Sequence, residues 1–520
     1  MIETVAALEF SAGRQDNRWL GAGWAAPDDG FVWSNATVSV LHLPRPGSRQ
    51  GVILDLDVQP FTHRPDVPFQ RVLLAVNGVD VAQRRLRGRM TWRVALPPAC
   101  LGQEGPLRVM LHCPDACAPV SVGAGKDGRV LGVRLYRAAF FADPGLAQLP
   151  DRSGSFSLDG AHHFSWNDAP EARLLEGWGE PEHNHVWALG RRSIVRVPLK
   201  RPGRYILLAD MLPAVDQTAP QPQRCIVGAA ERFVAALALP GRRVLGFALP
   251  RVSQDFIDIS FDNLGPQVPG DARQLAFMLL GLFLVHAPER VAAPAVVTLP
   301  PIADAGPRMA AITGLSSAAL VCHFESLGNL CELGLLQRRL GEEPIGLLRF
   351  AGMGQAYLVQ GLLDGFPGLG RPDRLDVRVR DDGGYWVIDE AHALGFQTQL
   401  LAARMEVEPL RRKLARNLPF LRRKFFADIC AAEKIFVYYR QDALEQEVTA
   451  VLAALSLGGE VAMLWVVHDT AHAPGSVSRL GANLVRGYVE ASVGKPPYAS
   501  DGAWLSVLAN AWRLLRGDAA

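Results

Sequence analysis

The chain contains an internal repeat. Gly23-Trp24-Ala25-Ala26-Pro27 is followed by Trp33 nine residues after Trp24, and Gly177-Trp178-Gly179-Glu180-Pro181 by Trp187 at the same spacing. Behind each pair runs a period-2 alternation, residues 36–43 and 193–199, the mark of a half-buried strand. Residues 51–58 match 203–210, and residues 72–78, whose Asn77-Gly78 predicts a tight hairpin, answer to 225–228. Both copies close alike, Asp127-Gly128-Arg129-Val130-Leu131 against Asp271-Ala272-Arg273-Gln274-Leu275. Such self-similarity means one supersecondary unit used twice. Short alternating runs separated by turns predict two tandem jelly-roll-like antiparallel β-sandwiches, residues 1–145 and 146–290.

The repeat also classifies the apolar run from Leu275 to Val285. It is far shorter than the roughly 20 residues of a spanning helix and falls on the last, central strand of the second copy, so no membrane insertion is expected. Met1-Ile2-Glu3-Thr4-Val5 lacks the basic and apolar regions of a secretory signal, which predicts a cytoplasmic protein. With 54 basic and 52 acidic residues there is no electrostatic footprint for nucleic acid. Seven scattered cysteines read as reduced thiols, mostly small buried hydrophobes. Cys113 and Cys117 have no second pair at zinc spacing, and His183 and His185 lie in a loop without a third ligand, so no metal is expected. Phosphate-binding glycine loops are absent too, and no cofactor is expected.

Trp24, Trp33, Trp178 and Trp187 have two readings. They can stack on sugar rings, or they can plug each sandwich at its first strand; spacing kept while neighbours differ favours the core. The Asp-x-Arg pair is an internal ion pair or a ligand contact. The pattern Gly-Trp-x-x-Pro…Trp, an Asn-Gly hairpin and Asp-x-Arg-x-Leu resembles β-sandwich modules that accompany bacterial glycosyltransferases and polysaccharide-assembly proteins. The resemblance implies an association with glycan metabolism.

A proline-rich segment, 291–308, predicts a linker to a third domain, 309–520. There Leu320–Phe324, Tyr385–Ile388, Lys434–Tyr439 and Ala462–Val467 read as strands, and residues 330–340, 410–424 and 441–455 as helices. Alternation of strand and helix predicts a three-layer α/β domain with a largely parallel sheet. The basic stretch from Leu410 to Lys424 reads as a solvated amphipathic face or a contact for an anionic surface.

Ser326-Leu327-Gly328-Asn329-Leu330-Cys331 places a cysteine in the first turn of a helix, behind a strand and a tight turn built on Ser326, Gly328 and Asn329. A helix N-terminus lowers a thiol pKa, and its amides suit an oxyanion. A nucleophilic Cys331 needs a base; His392 and His468, the latter beside Asp469, are the candidates. A structural role for each of these residues stays open. Residues 318–515 resemble a bacterial family named for papain-like cysteine peptidases and without an assigned activity. The resemblance rests on Ser326-Leu327-Gly328 ahead of Cys331, on Gly346-Leu347-Leu348-Arg349-Phe350, on a histidine near His392, on the 434–439 strand and on Asp501…Trp504. It implies a cysteine nucleophile, although the Cys-Trp pair of papain is missing.

Together these features predict a glycan-associated protein of bacterial surface-polysaccharide metabolism, with a cysteine-dependent hydrolase or transferase domain. The alternatives are a non-catalytic assembly protein and a papain-like peptidase. Its partners would be a saccharide or glycan-assembly proteins, and a homo-oligomer stays open.

Overall fold

The structure, a computed structural model, describes residues 3–46, 51–63, 65–102, 105–142, 155–165, 170–214, 223–239, 241–264, 273–288, 297–329, 331–440, 442–469, 471–490 and 499–516. The chain is mostly β-sheet, largely antiparallel, with its longer helices towards the C-terminus.

The first module contributes β1 (Glu3–Glu9), β2 (Val32–Trp33), β3 (Val38–Leu43), β4 (Val52–Pro60), β5 (Gln70–Val76), β6 (Val79–Leu86), β7 (Met90–Ala95), β8 (Leu107–His112) and β9 (Val133–Ala142). One sheet runs β1-β9-β4-β7 with β2 beside β9, and the other runs β3-β8-β5-β6. Alternate residues of both meet in one core, Leu54, Leu56 and Leu135 from the first against Leu41, Leu74 and Val109 from the second.

The second module contributes β10 (Ser157–His163), β11 (Arg173–Glu176), β12 (Val186–Leu189), β13 (Arg192–Pro198), β14 (Arg204–Pro213), β15 (Gln223–Ala229), β16 (Arg232–Leu239), β17 (Arg243–Ala248), β18 (Phe256–Asn263) and β19 (Leu275–Ala287). Its sheets run β10-β19-β14-β17 with β12 beside β19, and β11-β13-β18-β15-β16. Apart from β11, this is the first module's plan strand for strand. The apolar run is the central β19, paired with β10, β12 and β14.

The Gly-Trp motif is a structural joint in both copies. Trp24 donates its indole N–H to Val40 O across 2.8 Å and Trp178 donates to Ile194 O across 2.7 Å. Ser39 and Ser193 each donate a hydroxyl hydrogen bond to the carbonyl of the motif glycine, Gly23 or Gly177, at 2.7 Å. Those glycines have φ of +85° and +70°, and a Cβ would sit 2.1 Å from Val38 O or 1.9 Å from Arg192 O. Only glycine fits there. The Asn77-Gly78 hairpin has both residues at positive φ, 50° and 82°, as a type I′ turn requires. Its counterpart is Ala230-Glu231, at 48° and 61°, which carries the same turn without a residue suited to it.

The third domain contains α1 (Ala305–Thr313), α2 (Ser317–Cys322), α3 (Glu332–Arg339), α4 (Gln355–Asp364), α5 (Val407–Ala431), α6 (Glu445–Ser456) and α7 (Asp501–Arg516). Its strands are β20 (Thr298–Leu299), β21 (Phe324–Ser326), β22 (Ala351–Gly352), β23 (Leu375–Val379), β24 (Gly384–Asp389), β25 (Leu394–Leu401), β26 (Ile435–Tyr439), β27 (Ala462–His468), β28 (Val477–Arg479) and β29 (Leu484–Val489). The main sheet runs β20-β28-β29-β27-β26-β21, with β21, β26, β27 and β29 parallel. One face packs Val437, Leu464 and Val485 on α3 and α7; the other packs Phe436, Met463 and Trp465 on α5 and α6.

Three sequence expectations change. Leu320 and Val321 belong to helix α2, because Ser316 caps it by accepting the Ala319 N–H at 3.1 Å; the strand starts only at Phe324. The Tyr385–Ile388 strand, β24, lies in a separate antiparallel sheet, β22-β25-β24-β23, since hairpins join it to both neighbours. The expected linker is partly domain: β20 pairs with β28 and α1 opens at Ala305, while residues 291–296 lie outside the described set.

The second module is fused to the third domain. Gln355 Oε1 accepts the Val244 N–H at 2.9 Å and its Nε2 donates to Val244 O at 2.7 Å, so one amide imitates a strand partner. Gly246 lets α6 approach so closely that a Cβ would lie 2.6 Å from Ala450 N. Leu208, Val244, Phe283 and Val285 share a core with α4, α5 and α6. β19 is therefore covered on both faces, which is why its sequence is apolar without alternation. Among the described residues no helix is long and apolar enough to cross a membrane.

Candidate functional site

Strand β21 ends at Ser326, and the chain leaves the sheet through Gly328 and Asn329, both at positive φ (90° and 77°). Ser326 Oγ accepts the Gly328 N–H at 3.1 Å and Ala351 O accepts the Asn329 N–H at 3.1 Å. These two amides are thus occupied by the turn itself. Cys331 caps α3 and is half-buried, and its carbonyl accepts the Leu335 N–H at 2.8 Å.

The downstream motif holds this helix in place. Arg349 is buried and donates to Gly334 O at 3.0 Å and Glu342 O at 3.1 Å, and the Phe350 ring occupies the space that a Cβ on Gly334 would need. At its start α3 is tied to α7: Glu332 Oε2 accepts the Trp504 indole N–H at 2.8 Å. At its end Arg339 Nε donates to Asp501 at 3.0 Å.

Trp504 meets the Tyr439 ring edge-on at 5.7 Å, and Tyr439 stacks on His468 at 5.3 Å and 7°. Contacts therefore run from Cys331-Glu332 through Trp504 and Tyr439 to His468, at the carboxyl ends of β21, β26 and β27. The Tyr439 hydroxyl is buried and bonds no group among the described residues. Glu332, Tyr439 and Trp504 were not singled out from sequence as chemical groups; the signal was their position just past strand ends and at helix starts.

The electrostatics run against the expectation of an activated thiol. Burial pushes the Cys331 thiol up. Burial also pushes the Glu332 carboxyl up, against the hydrogen bond from Trp504 that lowers it. His468 is pushed down by burial, so its imidazole is neutral at pH 7.

The other candidates fall elsewhere. Asp469 turns from His468 to His472, whose Nδ1 lies 2.6 Å from its carboxylate. His392 is buried in the β24–β25 turn, with Nε2 3.1 Å from Pro367 O and its ring against Phe366. Its backbone N–H donates to the buried Asp389. Trp33 and Trp187 are buried, and Trp24 and Trp178 are half-buried and fixed by their indole N–H. Asp127 pairs with Arg129 at 2.7 Å; Asp271 lies outside the described residues, and Arg273 pairs with Glu182. His185 bonds Asn184 at 3.0 Å. Among the described residues no three His, Cys, Asp or Glu side chains cluster as metal ligands.

No family model and no curated protein matches this chain. Among solved structures it is similar to the ANXUR1 extracellular domain from Arabidopsis thaliana, at 8% identity over 55% of this chain and 90% of that one, with a TM-score of 0.22. An exo-β-1,3-galactanase from Phanerochaete chrysosporium matches at 14% identity over 39% of this chain and 42% of its own, TM-score 0.15. A peptide-N(4)-(N-acetyl-β-D-glucosaminyl) asparagine amidase matches at 9% identity over 56% and 99%, TM-score 0.18. At TM-scores this low the likeness carries no argument on fold or activity.

Proposed function

We propose that this chain is a glycan-associated protein of bacterial surface-polysaccharide metabolism. In this reading two jelly-roll-like sandwiches bind saccharide, and a three-layer α/β domain performs cysteine-dependent hydrolase or transferase chemistry. The observation that carries it is the contact chain Glu332–Trp504–Tyr439–His468 beside Cys331. It sits at the carboxyl edge of a parallel sheet, where open α/β sheets bind their ligands. Cys331 is the nucleophile, and because its thiol is held protonated it needs a base. We assign that base to His468, which is neutral and has neither ring nitrogen bonded among the described residues. The Tyr439 and Trp504 rings stand between it and Glu332 on the contact chain, so substrate or water carries the proton. Glu332, whose carboxyl burial pushes up, is the second titratable group on that contact chain.

One observation favours a second reading, an assembly protein without chemistry: the thiol is raised rather than lowered. The deciding experiment incubates the full-length chain with oligosaccharides and activated sugar donors and follows products by mass spectrometry. Turnover that falls at least ~100-fold in Cys331→Ser and His468→Asn supports catalysis. Binding with no turnover leaves the assembly role, and neither binding nor turnover removes the glycan reading.

A further inference from the structure

Between Glu408 and Asp428 the chain carries seven cationic side chains and no acidic one, a local excess in a chain of 54 basic and 52 acidic residues. The segment lies within α5, whose inner face buries Leu410, Leu414, Leu418, Phe425 and Phe426 in the core. Three of the seven cations are committed within the fold. Arg411 pairs with Glu408, Lys424 pairs with Asp428, and Arg422 is buried and donates to Phe366 O at 2.7 Å. The other four are Arg412, Lys413, Arg416 and Arg423. The first three are exposed, Arg423 is half-buried, and none forms a hydrogen bond or ion pair among the described residues.

Helical geometry, about 100° and about 1.5 Å per residue, gathers these four on one outer stripe roughly 17 Å long. Phe420 lies on the same stripe and is 48% exposed. The Arg423 guanidinium is 5.9 Å from the centre of its ring, so the aromatic group is embedded in the cationic face rather than set apart from it. A partner for this face must therefore be anionic where it meets the guanidinium and ammonium groups and apolar just beneath. A soluble polyanion meets only the first condition. The headgroup layer of an anionic bilayer meets both, because its phosphates lie over the acyl chains.

We infer that the outer face of α5 docks this protein reversibly on an anionic phospholipid surface. Arg412, Lys413, Arg416 and Arg423 lie against headgroup phosphates, and the Phe420 ring reaches the boundary between headgroups and acyl chains. Each cation near such a surface strengthens attachment by up to roughly fivefold, so the four together favour an anionic bilayer over a neutral one well beyond tenfold. The contact is peripheral. The apolar face of α5 stays in the core, and among the described residues no helix is long and apolar enough to cross a membrane. The inference stands apart from the glycan reading, since it concerns where the protein is held and not what it acts on.

The test is sedimentation of the full-length protein with vesicles of phosphatidylcholine alone and of phosphatidylcholine mixed with phosphatidylglycerol, at low and high salt. An apparent affinity at least ~10-fold higher for the phosphatidylglycerol vesicles, falling as salt rises, is the expected result. Arg412→Gln/Arg416→Gln is expected to lose at least ~10-fold, whereas Arg412→Lys/Arg416→Lys, which keeps both charges, is expected to bind like the native chain. Phe420→Ala is expected to weaken binding several-fold at unchanged charge. All three side chains are exposed, so the variants are expected to keep the native thermal midpoint, which separates lost docking from lost folding. Equal binding to both vesicles, no binding, or phosphatidylglycerol binding untouched by the glutamine pair overturns the inference and leaves the glycan reading intact. Soluble polyphosphate that binds through the same arginines, together with vesicle binding indifferent to Phe420→Ala, makes the stripe a general polyanion site and overturns the lipid assignment as well.

Discussion

Trp504 donates its indole N–H to the Glu332 carboxylate across 2.8 Å, joining the first turn of α7 to the first turn of the helix that begins at Cys331. That bond and the Arg339–Asp501 pair fix α3 against α7 at both ends. It also holds the Glu332 carboxyl in a buried setting that pushes it up.

The pH dependence of Glu332 has a definite sign. A carboxyl whose folded pKa lies above its unfolded value, about 4.3, adds stability below that value and loses it as pH rises through the folded pKa. Glu332→Gln keeps an acceptor for Trp504 and is expected to match the native chain near pH 4 and to exceed it at pH 7. Urea unfolding at the two pH values measures this, and an unchanged difference contradicts it.

For Cys331, burial sets the expected reactivity. Iodoacetamide labelling in the resting protein is expected to be slower than for a free thiol at pH 7 and to climb beyond about pH 8.5. Mass mapping against the other six cysteines reads the result. Rapid labelling of Cys331 alone below pH 7 means that the helix field outweighs burial.

Gly23→Ala and Gly177→Ala each force a Cβ into a strand carbonyl at positive φ. Each is expected to destabilise the protein by about 2–4 kcal/mol, seen as a lower midpoint in thermal unfolding. A loss under about 0.5 kcal/mol would mean that the Gly-Trp joint adjusts freely.

The Ala230-Glu231 turn offers a gain. Replacing it with the Asn-Gly of the first module relieves two residues at positive φ and is expected to stabilise by about 1 kcal/mol or more. Denaturant titration of Ala230→Asn/Glu231→Gly checks it.

Arg243 holds the second module to the third domain through Glu447, at 2.9 Å, and the Glu447 side chain is fully buried. The other cation near it, Arg440, lies 3.9 Å away. Arg243→Ala is expected to cost about 3–5 kcal/mol by leaving that carboxylate underpaired, and Glu447→Gln in the same chain is expected to restore much of it. Equal unfolding midpoints for the single and double variants would contradict this.

The sandwich repeat could be read from residues because its signals are local. Alternation of 2, an Asn-Gly turn and a glycine whose φ is positive act within a few residues, and each copy supplied its own check on the other. The turn ahead of Cys331 was legible for the same reason, since Gly328 and Asn329 take positive φ within the turn itself. Leu320–Phe324 misled because an apolar run of five does not distinguish a buried helix end from a strand, and the Ser316 cap decides it.

The amino-acid order by itself determined where strands turn and that one unit occurs twice. Tertiary structure alone decided which side chains share a site. It placed Trp504 on Glu332 across 172 residues and Tyr439 against His468, and it turned Asp469 and His392 to other partners. It also explains why β19 is apolar throughout while β9, its counterpart, keeps Arg134, Tyr136 and Arg137: α4, α5 and α6 share a core with the outer face of β19, whereas the buried outer patch of β9 is small, Ala139 and Phe141 with Ile53, and Arg371 lies over the Phe141 ring. Local pattern reports the conformation of a segment, but burial and partnership depend on what the rest of the chain lays against it.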